Sequence, residues 1–127
     1  MSVQVALVSQ LSLPRAHSSS LVQVVPLPES DAKIVAEAKS KLGKDFGIVS
    51  LEGYVVGKLF VNILSNVKGE ITRKAFMEQA SRTKTDLGDL PIDLTSDNQA
   101  SDLVVLSYLN GKSFVPMTSA AMRTMVK

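Results

Sequence analysis

The stretch that decides the fold is residues 49–64, VSLEGYVVGKLFVNIL. Apolar residues occur at almost every position, and the polar exceptions after Ser50 are Glu52, Lys58 and Asn62. A helix that is apolar nearly all round is usually buried. We therefore predict a buried helix over residues 51–65.

Ser50 precedes this run and stands where a helix N-cap belongs, with Val49 and Tyr54 at the positions of a hydrophobic staple. Gly53 and Gly57 fall inside the helix, where each costs about 1 kcal/mol relative to alanine. We expect close packing against a neighbouring element to compensate for them.

The elements on either side follow from periodicity and turn signals. Ser30 is expected to cap one helix and Thr72 another, and Asn110-Gly111 is a strong hairpin turn signal. The "VVPLP" run is expected to leave its strand as an extended connector. The predicted helices are 31–42, 51–65 and 73–82, followed by a weakly capped tail from residue 118; the predicted strands are 3–9, 21–25, 91–95, 103–109 and 113–117.

Composition excludes several classes of function. The 127 residues include no cysteine and one histidine, His17, which excludes thiolate sites and a histidine-cluster metal site within one chain. The net charge is +2, and the basic residues are spread along the chain with acidic neighbours, which argues against a nucleic-acid partner. We expect no cofactor.

The chain also carries few signals for a membrane or for export. No stretch approaches about 18 consecutive apolar residues, so no membrane span is expected. The first residues, MSVQVALVSQ, lack a positive n-region and alternate like a strand. If Met1 is the true start, a cytoplasmic location is expected.

Candidate catalytic groups are sparse. His17 lies among serines without a nucleophile-elbow motif, and the pairs Asp86/Asp89 and Asp93/Asp97 stand among turn residues that favour capping. We therefore predict that the chain is not an enzyme. Glu52 is expected in the first turn of the central helix, either as a helix-terminus carboxylate or as a ligand contact.

The order of motifs resembles a known family. "SLVQVVPLP", "VSLEGYVVGKLFVNIL", "GEITRKAFMEQA", "DLGDLPIDLTSDNQASDLVVL" and "NGKSFVPM" are similar to the C-terminal third of type 1 periplasmic solute-binding proteins, the branched-chain amino-acid receptors of ABC transporters. The resemblance covers about residues 3–117. It implies an α/β fold: an incomplete type 1 periplasmic-binding-protein fold, with a short sheet, three central helices and a C-terminal hairpin.

Family members are two-lobed clamps, and this implies an assignment of segments. Residues 1–25 resemble part of the second lobe, and residues 26–127 resemble the first-lobe and hinge segment, together forming one compact unit. "VVPLP" then corresponds to a hinge crossover. Members are about three times longer, have an export signal and are periplasmic.

The resemblance also implies a function and its residues. The chain is expected to bind small amino acids or amides only if the missing lobe is supplied, and to serve a membrane permease when full-length. Ser9 and Gln10 occupy the place where members meet the ligand ammonium, although both are neutral here, and Glu52 lies near the approach to the ligand side chain.

Two apolar strands raise a further expectation. Residues 21–25 and 103–106 are nearly continuous apolar runs that need cover on both faces, and half-exposed sheet edges favour pairing with another chain. We therefore expect a homo-oligomer. The alternative function is a self-associating structural or regulatory remnant without a role in transport.

Overall fold

A computed structural model of the chain describes residues 20–97, 99–110, 112 and 114–125. The predicted strand over residues 3–9 lies outside them. The described residues form two antiparallel sheets together with α-helices, which confirms the predicted α/β class. In chain order the elements are β1 (Ser20–Gln23), α1 (Lys33–Leu42), a 3-10 turn (Gly43–Asp45), α2 (Ile48–Ser65), α3 (Arg73–Ala80), β2 (Lys84–Asp86), β3 (Pro91–Asp93), β4 (Val105–Leu109), β5 (Phe114–Pro116) and α4 (Ser119–Met125).

Helix α2 begins three residues before the predicted start. Its N-cap is Gly47, whose extended backbone carries no strain, and Ser50 is the third helical residue. The Ser50 hydroxyl accepts a hydrogen bond from the Gly47 amide at 2.8 Å and donates one to the Asp45 carbonyl. A serine is also suited to this third helical position, because its side chain can accept from the amide of the N-cap residue.

The prediction that α2 is buried nearly all round is wrong. Leu51, Val55 and Ile63 are buried, whereas Val56 is 62% exposed and Phe60 is 51% exposed. The close packing expected at the two glycines is also not present, since a Cβ at Gly53 or Gly57 would meet nothing within 4 Å. By length and composition α2 could cross a bilayer, a test that core helices also pass.

Helix α1 ends as predicted but begins differently. Gly43 closes it with a positive φ of 54°, the conformation for which glycine is preferred. At the other end the N-cap position is Ala32, which offers no side-chain acceptor. Ser30 accepts a hydrogen bond from the Ala32 amide at 3.2 Å, outside the helix, so the predicted Ser30 cap is wrong.

The cap of α1 comes from a distant part of the chain. The Gly88 carbonyl accepts from the Ile34 amide at 2.9 Å, and the Asp89 carboxylate accepts from the Lys33 amide at 3.0 Å. Asp89 also forms an ion pair with the Lys33 ammonium at 3.4 Å. These bonds satisfy two amides that have no partner within the helix, and they fasten α1 to the turn at residues 87–90.

That turn joins β2 to β3. Asp86 Oδ1 accepts from the amides of Gly88 and Asp89 at 2.8 and 2.7 Å, which is an Asx-type turn. Gly88 and Asp89 both have positive φ, 103° and 62°. β3 confirms the predicted strand near residue 91, whereas β2 was not predicted because its sequence, Lys-Thr-Asp, has no apolar alternation.

The second sheet has three strands in the order β1-β4-β5. Val22 pairs with Leu106, and Tyr108 pairs with Val115. The predicted hairpin after residue 103 is confirmed as β4 and β5. Its turn includes Gly111, which lies outside the described residues.

The two remaining helices have side-chain caps. Thr72 accepts from the Ala75 amide, as predicted for α3. Ile71, which precedes this cap, is exposed, and the Phe76 ring of α3 contacts the Phe60 ring of α2, with centroids 5.1 Å apart. α4 has a cap that was not predicted, because the Thr118 hydroxyl accepts from the Ala121 amide at 3.2 Å.

The core lies between α1, α2 and the β2-β3 hairpin. The connector after β1 contributes Val25, so the core joins the two sheets. Ile34 and Leu51 are fully buried. The buried members of this cluster are Val25, Ile34, Val35, Ala38, Leu51, Val55, Leu87, Leu90 and Ile92.

Gly88→Ala should destabilise the chain by roughly 1–3 kcal/mol, because φ is 103° and the new Cβ would lie 2.9 Å from the Ile34 nitrogen. Gly47→Ala is the control, since its backbone is extended and its Cβ would lie 4.0 Å from the nearest atom. Urea unfolding measures both. Equal losses for the two variants would contradict the close approach at Gly88.

Leu51→Ala should cost about 2–5 kcal/mol, since it opens a cavity in the core. Met77→Ala on α3, where the side chain is mostly exposed, should change stability by less than about 0.5 kcal/mol. Thermal unfolding compares them. A small effect at Leu51 would mean that the core is packed differently.

Candidate functional site in a groove beside the connector

A groove of about 970 Å³ opens where the connector after β1 meets the β2-β3 hairpin. One wall is the connector with Pro26 and Leu27, and the opposite wall is β3 with its hairpin partner β2. The loop after β3 closes one end. The lining residues that matter below are Leu27, Lys84, Leu90, Ile92, Asp93, Asp97 and Asp102.

The groove has an apolar base and a polar rim. Leu27, Leu90 and Ile92 line it and are each less than 10% exposed. Leu90 and Ile92 also belong to the core, so the base of the groove is held by the packing of α1 and α2. A fixed apolar base with convergent polar groups is the usual build of a small-molecule site.

The rim is ordered by local hydrogen bonds. Asp97 Oδ1 accepts from the Gln99 amide at 2.8 Å, and the Gln99 side chain donates to Asp102 Oδ1 at 3.1 Å. The Asp93 amide donates to the Ala100 carbonyl at 2.9 Å, which ties the loop back to β3. The sequence interpretation of these aspartates as turn and capping residues is therefore consistent with their local contacts.

The charge at the groove is set by an ion pair. Lys84 Nζ lies 2.8 Å from Asp93 Oδ2, and the Thr95 hydroxyl and amide donate to Asp93 Oδ1 at 2.5 and 2.9 Å. The Lys84 hydrogen bond and then the Thr95 bonds hold the pKa of Asp93 well below its usual range, and Asp93 raises the pKa of Lys84. Asp93 is therefore ionised at neutral pH and already engaged.

A buried amide lies next to this region. Gln23 is almost fully buried on β1, opposite Val105, and Val105 lines the groove. Its Nε2 donates to the Val25 carbonyl at 3.0 Å, while its Oε1 has no hydrogen-bond partner among the described residues. A buried acceptor without a donor costs about 1–3 kcal/mol.

The groove can therefore hold the ammonium group and the aliphatic side chain of a small amino acid. Four carboxylates line it; Asp89 and Asp93 are already paired with Lys33 and Lys84, and Asp97 and Asp102 favour a cationic group such as an ammonium. Its apolar base suits an aliphatic side chain. Among the described residues the lining contains one basic group, Lys84, which Asp93 engages, so a ligand carboxylate finds no ready cation there.

A second polar cluster joins α1 to α2. Tyr54 donates to Glu37 Oε1 at 2.6 Å, and Lys58 forms an ion pair with Glu37 Oε2. These two hydrogen bonds, that of Lys58 first, lower the pKa of Glu37, and Glu37 raises the pKa of Tyr54. The staple predicted for Tyr54 is therefore replaced by this contact, which helical spacing alone does not indicate.

The predicted site residues are not brought together at the groove. Ser9 and Gln10 lie outside the described residues. Glu52 is half-buried on α2 and is not part of the groove lining. It also lies in the second turn, because α2 begins at Ile48 and its first turn contains no acidic residue, so the expected dipole contact is wrong. Its role as a ligand contact stays a prediction.

Glu37→Gln should lower the stability of the chain at pH 7. It should also reduce the stability that the chain loses when the pH falls from 7 to 3. A carboxyl with a lowered folded pKa stabilises the fold above the ordinary pKa of about 4.3 and loses that contribution as pH falls through the folded value. Urea unfolding at pH 7 and pH 3 measures the loss. The exposed Glu70→Gln variant is the control. If Glu37→Gln lost as much stability between pH 7 and pH 3 as the unchanged chain, the stabilising role of Glu37 with Tyr54 and Lys58 would be contradicted.

Comparison with known proteins finds relatives among solved structures. A protein from Rhodopirellula baltica SH 1, described as a possible leucine/isoleucine/valine-binding protein, matches 78% of this chain with 30% identity and a TM-score of 0.70. A substrate-binding periplasmic protein from Ralstonia solanacearum matches 78% of the chain with 23% identity and a TM-score of 0.64, which supports the fold alone. No protein-family profile matches, and no curated protein matches.

The chain spans 29% of the first relative and 31% of the second. Both relatives are binding proteins rather than enzymes, which is consistent with the prediction that this chain is not an enzyme. The matches confirm the fold and the resemblance that the order of motifs indicates. The chain has part of the type 1 periplasmic solute-binding-protein fold, about a third of a receptor of this family in length.

Proposed function

We propose that the chain is the substrate-binding segment of an amino-acid receptor of an ABC transporter, and that it holds a branched-chain type amino acid or a small amide together with a second lobe. The structural match to the possible leucine/isoleucine/valine-binding protein is the observation that supports this most. The match to this protein supports a solute-binding function, and the class of ligand goes one step further.

The chemistry of the groove supports a shared site. Leu27, Leu90 and Ile92 offer an apolar base for an aliphatic side chain, and the carboxylates on the rim attract an ammonium. Lys84 is engaged by Asp93, so the cation or amide donors for the ligand carboxylate have to come from elsewhere. A charged carboxylate without partners is costly to desolvate, which is why the segment alone should bind weakly.

The arrangement of segments is also a proposal. We assign residues 1–25 to the second lobe and residues 26–127 to the first lobe and hinge, with the connector at Pro26 as a crossover beside the groove. Within this assignment Ser9, Gln10 and Glu52 are ligand contacts outside the groove described above. Replacing Glu52 by Gln tests whether Glu52 contacts the ligand.

The partners follow from the same proposal. The receptor would deliver its ligand to a membrane permease of an ABC transporter and would act in the periplasm, as the name of the Ralstonia solanacearum protein states for that relative. The chain would also form a homo-oligomer. Val22, Val24 and Val104 are more than half exposed at the β1-β4 sheet, which agrees with the apolar excess that motivates this expectation.

Leucine titration should show at most millimolar binding to the 127-residue chain, which corresponds to about 4 kcal/mol of binding free energy. NMR spectra should place the contact at Leu27, Leu90 and Ile92. A chimera, in which this chain replaces the matched segment of the Rhodopirellula baltica protein, should bind leucine at least tenfold more tightly because it supplies the second lobe. Calorimetry with leucine, valine and small amides measures both.

Asp97→Asn combined with Asp102→Asn should weaken leucine binding by the chimera at least tenfold, because it removes two negative charges from the rim. Asp45→Asn, in the 3-10 turn away from the groove, is the matched control. Micromolar binding by the chain alone would contradict the need for a second lobe. Full binding by the doubly substituted chimera would contradict the groove as the site.

A further inference from the structure

The groove beside the connector is larger than a single amino acid requires. Its volume is about 970 Å³, at the upper end of the roughly 300–1,000 Å³ that holds a drug-sized molecule. Its lining also continues beyond the apolar base, to Val105 of β4 and Pro116 of β5. The groove therefore has room for a ligand that is longer than leucine.

The charged groups in the described lining are mostly negative. Four aspartates and one lysine line the groove, and Lys84, the lysine, is already paired with Asp93 at 2.8 Å. Asp97 and Asp102 accept hydrogen bonds from Gln99 but form no ion pair with any described residue. Clefts lined by one sign of charge concentrate groups of the opposite sign. The groove therefore attracts a cation and repels an anion.

A free amino acid brings both charges into this groove. Its ammonium is attracted, but its carboxylate is repelled by Asp97 and Asp102 and finds no unpaired cation in the described lining. Desolvation of such an unpaired carboxylate is costly. An amide bond at the same position presents a neutral carbonyl, which needs only a hydrogen-bond donor, and the hydroxyls of Ser96 and Ser101 line the groove.

From this combination of size and charge we propose that the groove takes an aliphatic ligand with a free ammonium and a carboxyl group blocked by an amide bond. An amino-acid amide and the first residue of a short peptide both have this chemistry. The proposal rests on the groove as the ligand site of the proposed function, and it narrows the class of ligand. A peptide would continue along the groove towards Val105 and Pro116.

NMR titration of the 127-residue chain with leucine, leucinamide and N-acetyl-leucinamide tests the charge preference. At pH 6.5 and low salt, below the α-amino pKa of about 7.7–8.0, leucinamide should bind at least fivefold more tightly than leucine. N-acetyl-leucinamide lacks the ammonium and should bind at least fivefold more weakly than leucinamide. Leucine binding as tightly as leucinamide, or no loss on acetylation, would overturn the proposal.

The two free carboxylates of the rim have their own test. Asp97→Asn with Asp102→Asn keeps the oxygens that accept from Gln99 but removes two negative charges, so the preference for leucinamide should fall below about twofold. Asp45→Asn with Glu70→Gln removes the same charge at exposed positions outside the groove and should keep at least a fivefold preference. An unchanged preference in the first variant, or its loss in the second, would contradict the role of the rim.

Leucyl-alaninamide tests the length of the site. It should bind at least as tightly as leucinamide, and it should shift the NMR signals of Val105 in addition to those of Leu90 and Ile92. Binding more than threefold weaker than that of leucinamide would show that the groove ends after the first residue, which would overturn the extension to peptides.

The ligand preference and the receptor function fail in different experiments. If the chimera with the Rhodopirellula baltica protein binds no leucine while the chain alone binds leucinamide in the groove, the receptor assignment is wrong and the ligand preference stands. If the chimera binds leucine and the chain alone binds leucine as tightly as leucinamide, the ligand preference is wrong and the receptor assignment stands.

Discussion

The rest of the structure depends on the hydrogen bonds that the first amides of α1 donate to the Gly88 carbonyl and the Asp89 carboxylate in the turn between β2 and β3. The Lys33–Asp89 bond joins residues 56 positions apart, and both bonds lie at a helix end that has no side-chain cap of its own. The same turn places Leu87 and Leu90 into the core against Ile34. Its geometry depends on two consecutive residues with positive φ, stabilised by the Asp86 carboxylate. Since the hairpin also forms a wall of the groove, the shape of the candidate site depends on this cap.

The groove and the exposed apolar side of α2 belong to a chain whose surface is only partly complemented by its own residues. The groove offers carboxylates and an apolar base, yet its basic group is already paired. Gln23 buries an oxygen for which the described residues provide no donor. Lys58 of α2 pairs with Glu37 of α1, whereas three valines of the same helix, Val49, Val56 and Val61, are more than half exposed. Each of these features is expected of a segment that packs against further parts of a larger protein. The structural relatives are about three times as long as this chain, which agrees with that explanation.

Much of the fold could be predicted from the sequence, because periodicity and turn residues are local signals. The three central helices, β3 and the β4-β5 hairpin follow from them. Strand β2 could not be predicted, since Lys84 and Asp86 are polar and the strand exists through its pairing with β3. The burial of α2 was misjudged because a sequence that is apolar all round does not reveal which side has a partner. The groove was missed for a similar reason: its walls come from three separated segments, and its aspartates look like turn residues locally.

The central structural claim is that the Gly88-Asp89 cap holds the connector, the core and the groove in one cooperative unit. Native-state hydrogen exchange of the Ile34 amide tests it most directly, because a first-turn amide normally lacks a partner and exchanges by fraying. We predict that this amide exchanges only through global unfolding, with the same free energy as buried amides in the middle of α2. Rapid exchange of Ile34, while the middle of α2 stays protected, would contradict the account.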